Sequence, residues 1–312
     1  MALFPRKLRP LILPLFLAVF CLRTQGDLDP ANAPASMPFP SAMPRTVLWA
    51  WEEPENLTSA PPDSVGVAYL AETLLLRNAA GSSPAAPALA IRFRRQPLAV
   101  APGAAVMAVV RIIAEPGFQD SAELRRQTVL ALAQASRQPG LRALQIDFDA
   151  TRSQRPFYAA ILAALRPQMP AGMPLSITAL LSWCAAAPGS GNWMANLPID
   201  EAVPMFFRLG GSSRPADNKS GYPLREPRCR GSIGISTDES WPSLDPRQRV
   251  YLFAPRPWTP LQLAAIDSVS SGRRARALQF NYATASLPAV NDTGLHPHAD
   301  RGLPLASQEN AP

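Results

Sequence analysis

Two carboxylates two residues apart, Asp147 and Asp149 in the run "ALQIDFD" from Ala143, are the residues of this chain best suited to acid–base chemistry. Side chains alternate along a strand, so Gln145, Asp147 and Asp149 share one face while Ile146 and Phe148 share the other. The run is apolar enough to be buried, and an ionised carboxylate taken out of water costs several kcal/mol unless it is paired or hydrogen-bonded. A proton-transfer site is one reason to place two there. A buried ion-pair cluster is the other, with Arg111, Arg208 or the following "TRSQR" as counter-charge. Asp149 could also do no more than cap the helix after the strand.

Other strand-like runs end in residues that could join the aspartates. Ser176 and Thr178 alternate in "LSITAL", Asn281 and Tyr282 close "ALQFNYA", and Arg111 and Arg208 stand near the ends of their runs. Further carboxylates near strand ends are Glu52, Asp238 and Glu239, of which Glu239 is the first choice as partner to Asp149. Asp200 and Glu201 precede their strand and belong to the opposite, stabilising end. Trp49, Trp51, Trp183 and Trp241 lie at or just past strand ends, where an indole can stack on a sugar ring or simply fill core.

The residue inventory removes whole classes of chemistry. The only histidines, His296 and His298, sit in a polar tail, which leaves no Ser-His-Asp triad and no histidine-ligated metal inside the fold. Lys219, the one lysine beyond the leader, stands in a loop-like "SSRPADNKSGYP", a poor place for a desolvated Schiff-base amine. No glycine-rich phosphate loop occurs, so no cofactor is expected and acid–base work falls to carboxylates. The formal charge is +7, but Arg6, Lys7, Arg9 and Arg23 lie within the first 26 residues, where no acid stands. The rest is too mildly basic to argue for a nucleic-acid partner.

Those first residues read as a secretory signal peptide over 1–26: a basic start, the apolar run "LILPLFLAVFCL", and small residues at Thr24 and Gly26 before a cleavage site at Asp27. The run is short for a bilayer span, and no membrane span is expected after cleavage. An uncleaved anchor is the alternative. Export makes a periplasmic or secreted location the expectation. In an oxidising compartment the two remaining cysteines, Cys184 and Cys229, are read as a disulfide, with two buried free thiols as the alternative.

The elements that position these residues follow from the pattern. Residues 27–45 are a Pro/Ala-rich linker, 46–283 the folded body, and 284–312 a disordered tail. Nine β-rich runs recur, starting at Thr46, Ser64, Val106, Ala143, Leu175, Ala202, Ser232, Val250 and Ala277. Helices are expected over Asp120–Arg137, over about Ser153–Leu165, and from the capping box at Thr259, Pro260 and Gln262. Strand–helix alternation over about 240 residues predicts an α/β fold of the (β/α)8 TIM type, with an inserted hairpin at 71–105 after the second strand. In such a barrel Gln145, Asp147 and Asp149 point inward and the aspartates stand at the C-terminal mouth.

The series "WAWE", "LQIDFDA", "LSITALLSWC", "LPIDEAVPMFFRLG" and "CRGSIGISTDE" resembles a bacterial family known as domain of unknown function 3142. More distantly, the "DFD" strand is similar to the D-x-x-D-x-D-x-E strand of family 18 glycoside hydrolases, which implies a chitinase-like barrel. Asp147 and Asp149 match the last two aspartates of that pattern. Leu144 replaces its first aspartate and Thr151 its acid glutamate, so a proton donor must come from elsewhere.

The expectation is an exported, carbohydrate-active barrel that takes a polysaccharide or glycan. In its enzymatic form it is a glycosidase whose catalytic residues are Asp147, Asp149 and Glu239. Trp51, Glu52, Arg111, Trp183, Arg208, Trp241, Asn281 and Tyr282 would bind the substrate. The alternative is a barrel without hydrolase activity that binds a glycan or another envelope protein at the same mouth. Neither the sugar nor the oligomeric state follows from the sequence.

Overall fold

A computed structural model of the chain describes residues 43–77, 88–185, 192–207, 223–239 and 241–270. In chain order they form β1 (Thr46–Ala50), β2 (Glu55–Leu57), β3 (Val65–Leu76), β4 (Leu89–Phe93), β5 (Leu98–Val100) and β6 (Val106–Ala114). There follow α1 (Ala122–Ser136), β7 (Leu141–Asp147), α2 (Arg155–Leu165), β8 (Leu175–Ala179) and α3 (Leu181–Ala185). The series ends with β9 (Glu201–Pro204), β10 (Ser232–Ser236), β11 (Arg249–Phe253) and α4 (Pro260–Ser270). The leader, most of the linker, Arg208, Asn281, Tyr282, the ninth β-rich run and the tail lie outside the described residues.

The other eight β-rich runs are the eight parallel strands of one sheet, ordered β1, β3, β6, β7, β8, β9, β10, β11, with β11 pairing back onto β1. A parallel bridge between Met205 and Gly234, with the Phe206 amide donating to the Gly234 carbonyl at 2.7 Å, joins β9 to β10. The result is a nearly closed barrel whose strands follow one another round the ring in chain order. Such strands are covered on both faces, so they read as continuous apolar runs: all five residues of β1, β8 and β10 are buried.

The two faces of the sheet feed separate cores. Val47, Trp49, Ala68, Met107, Val109, Ala143, Val203 and Tyr251 fill the interior. Outside, Val110, Ile112, Ile146, Phe148 and Ile177 pack under Leu124, Leu132, Phe157 and Ile161 of α1 and α2. A second outer cluster sets Leu48, Ile235 and Leu252 against Leu263 and Ile266 of α4.

Local signals explain the helices. Ser121 accepts from the Leu124 amide at 3.1 Å to cap α1, and Gly140 beyond its end takes φ +81°. Pro156 sits in the first turn of α2, where its missing N–H removes no bond. Thr259 and Gln262 bond reciprocally at the start of α4.

The expectation of eight alternating helices is corrected. Among the described residues, α-helices follow only β6, β7, β8 and β11, and α3 is five residues long. The second crossover is instead the inserted hairpin: β3 runs twelve residues and its outer half pairs antiparallel with β4, from Glu72↔Phe93 to Leu76↔Leu89. The short strands β2 and β5 pair with each other in parallel. No helix among the described residues is long and apolar enough to cross a membrane.

Candidate functional site

Inside the barrel the polar residues separate into two layers. The lower one is a continuous hydrogen-bond chain. Trp49 Nε1 donates to Gln145 Oε1 at 2.8 Å, Gln145 Nε2 to Ser176 Oγ at 3.1 Å, and Ser176 Oγ to Glu201 Oε2 at 2.9 Å. Glu201 also accepts from the Tyr251 hydroxyl at 2.7 Å and pairs with Arg249 at 2.8 Å. Arg249 reaches on to the Pro44 and Met43 carbonyls. Both oxygens of the buried Glu201 carboxylate thus accept hydrogen bonds, and the layer ties β8, β9 and β11 together at the barrel's N-terminal end. Gln145 and Ser176 belong to it, not to the mouth lining that their alternation with Asp147 and Thr178 implies.

The upper layer is the rim. Thr178 Oγ1 donates to Asp147 Oδ1 at 2.7 Å, and Arg111 Nε lies 3.7 Å from Asp147 Oδ2. The parallel register puts Arg111 beside Asp147, so the pair follows from two adjacent strands. The Arg111 guanidinium crosses the Trp51 ring 5.7 Å from its centroid. Burial raises the pKa of Asp147, although Arg111 and Thr178 work against it.

Asp149, just past the end of β7, has neither ion pair nor hydrogen bond among the described residues. Burial first, and then the neighbouring Asp147 charge, push its pKa up to about 7, against the pull of Arg111. Thr178 and Arg111 favour the charged form of Asp147, whereas Asp149 has no such partner among the described residues.

Three half-buried aromatic rings wall the same end. Phe207 and Phe253 stack with centroids 5.5 Å apart and planes 3° from parallel, and Trp51 meets Phe253 edge-on at 6.5 Å. Neither phenylalanine stands out in the sequence, because "MFF" and "YLF" read as ordinary strand ends. Only ring closure brings β9 and β11 to the side of Trp51.

The remaining predicted residues scatter. Glu239, half-buried, follows β10, three strands round the ring from β7. Glu52 is exposed and so is Asp238, which accepts from Ser236 Oγ. Trp241 donates Nε1 to the Ser236 carbonyl at 2.6 Å and packs on the outer core. Trp183 is 2% exposed within the outer core, so its ring is no open platform. Asp200 holds Arg166 at 2.8 Å and accepts from the Leu175 amide, on the stabilising end where its place before β9 puts it. Cys184 and Cys229 are joined in a disulfide, both sulfurs buried in the outer core. Among the described residues no group of three or more His, Cys, Asp or Glu could hold a metal ion.

Asp147, Asp149, Arg111 and Thr178 all come from one segment of the chain. Residues 102–196 match the family model described as domain of unknown function (DUF3142). The matched segment runs from just before β6 to beyond α3, and so carries the charged half of the rim together with the outer core behind it. No curated protein and no solved structure matches the chain.

Proposed function

We propose that the rim is a carbohydrate site on an exported protein, and that Asp149 passes a proton to the glycosidic oxygen of a bound glycan. The observation that carries this is the Asp149 carboxyl itself: unpaired, half-buried, and held near pH 7 beside a second carboxyl that has its own partners. Retaining and inverting glycosidases both need one protonated and one ionised carboxyl group across the bond to be cut. Asp147 takes the ionised role in this reading, with Glu239 as the other candidate. The half-buried rings of Trp51, Phe207 and Phe253 offer apolar faces of the kind on which sugars stack.

The test is a screen of the purified protein against bacterial and plant polysaccharides. Release of reducing ends by the native chain, abolished in Asp149→Asn, is the expected result. Activity that survives Asp149→Asn would remove the assignment. A second reading, a glycan- or envelope-protein-binding barrel without hydrolase activity, is favoured by the Arg111–Asp147 pair, which partly neutralises the site. It predicts binding without product in the native protein.

Export rests on the basic and apolar pattern of residues 1–26, and the Cys184–Cys229 disulfide supports an oxidising compartment. N-terminal sequencing of cell-envelope material should then begin at Asp27, and an intact Met1 would count against processing.

A further inference from the structure

Behind the rim, where α2 begins, four buried polar atoms have no hydrogen-bond partner: Arg155 Nε, the Tyr158 hydroxyl, Trp183 Nε1 and Trp193 Nε1. The four side chains form one packed group. Trp183 and Trp193 meet edge to face at 4.9 Å, Tyr158 lies 6.0 Å from Trp193, and the Arg155 guanidinium sits 5.9 Å from the Trp183 ring and 5.4 Å from Trp193. Arg155 and Tyr158 are one turn apart on α2 and share a face.

All four atoms can donate, and among the described residues nothing accepts from them. Buried polar groups are almost always satisfied, so four such donors in one cluster ask for an acceptor from outside. Charge narrows its nature. Among the described residues Arg155 has no ion pair, yet it is half-buried against two indoles, where a guanidinium gains most from an anion. Trp193 is likewise only half-buried, so these two side chains present the group to the surface while Tyr158 and Trp183 back it. Tyr158 meets Phe148, which stands between Asp147 and Asp149 in the chain, edge to face at 5.1 Å, and this makes the cluster a neighbour of the rim.

We propose that Arg155 and Trp193, backed by Tyr158 and Trp183, form a subsite for the carboxylate of a uronic-acid residue in an acidic glycan bound at the rim. The proposal rests on the reading of the rim as a carbohydrate site. A planar carboxylate suits the guanidinium fork, and the sugar ring that bears it would lie along Trp193.

Tryptophan fluorescence titrations of the full-length protein test it, with galacturonate, glucuronate and mannuronate oligomers set against neutral oligomers of equal length and against sodium sulfate. At least one uronate oligomer should bind about tenfold or more tighter than its neutral counterpart, a difference one charge-assisted pair can supply. Arg155→Gln should erase that preference while neutral binding stays, and Arg155→Lys, which keeps the charge but not the fork, should restore only part of it. Thermal melts of both variants confirm that they fold.

Equal binding of charged and neutral oligomers, or a preference that survives Arg155→Gln, would overturn the subsite and leave the rim reading standing. Sulfate binding as tight as any uronate oligomer would overturn the sugar assignment. Failure of every oligosaccharide to bind would overturn both.

Discussion

Asp149 and Glu72 each keep a carboxyl group where the uncharged form is favoured. Burial raises Glu72, at the bulge in β3, to about 7, and its Oε1 has no partner. Asp149 is raised to the same region by burial and by Asp147. In each case the folded state holds a proton that the unfolded chain releases near pH 4, so stability should fall as pH rises from about 4 to about 7. The slope is at most about 1.4 kcal/mol per pH unit for each group, less at Asp149 where water has access. Asp149→Asn and Glu72→Gln should therefore each gain on the native protein between pH 5 and pH 8, as read by urea melts. A gap that stays constant across that range would show that neither group is held protonated. Asp149→Asn should cost less than about 1 kcal/mol at neutral pH, whereas a loss of about 3 kcal/mol or more would mark the carboxyl as structural.

Between elements, the disulfide ties α3 to the turn before β10 across 45 residues of sequence that include β9. Backbone bonds reinforce it, since the Arg225 and Glu226 amides both donate to the Cys184 carbonyl. Because β9 is only four residues long and β10 closes the ring beside it, the crosslink shortens the loop that closure must otherwise order. Reduction, or paired Cys184→Ala and Cys229→Ala replacement, should lower stability by about 2–4 kcal/mol in denaturant melts. The charged part of the rim, built on β6, β7 and β8, precedes the crosslinked segment in the chain and should keep its structure at low temperature. Thiol titration of denatured, unreduced protein should find neither cysteine free.

Across the whole molecule, the barrel depends on its closed lower layer. Glu201 collects Ser176 from β8 and both Tyr251 and Arg249 from β11, and its removal would take the neutralising carboxylate from the part-buried Arg249. Glu201→Ala should cost about 3–5 kcal/mol in thermal or urea unfolding, while Glu201→Gln, which keeps part of the network, should cost clearly less. Equal, small losses for the two would mean the chain of bonds is dispensable. Closure also has a steric condition at Gly234: a Cβ there would stand 2.9 Å from Trp49 Cη2, so glycine is what lets β10 pass that ring and bridge to Met205.

Local pattern alone determined much of this protein. Parallel strands covered on both faces leave uninterrupted apolar runs, so nine candidate strands were legible, eight of which form the ring, as were the cap at Thr259 and the inward face shared by Gln145 and Asp147. The extra turn of chain at 71–105 was readable as a hairpin because no helical period interrupts it. What the strands meet across the ring is different in kind. Gln145 and Asp147 carry the same alternation signal, yet one is consumed by Trp49 and Ser176 while the other stands at the rim with Arg111, because depth in a barrel depends on the stagger of neighbouring strands. Glu239 stands out by its place after a strand, and only the ring order sets β10 three strands from β7. Phe207, Phe253 and the unsatisfied group around Arg155 carry no local mark at all. They become a wall and a cluster only when segments far apart in sequence are folded into contact, and that contact belongs to the tertiary structure.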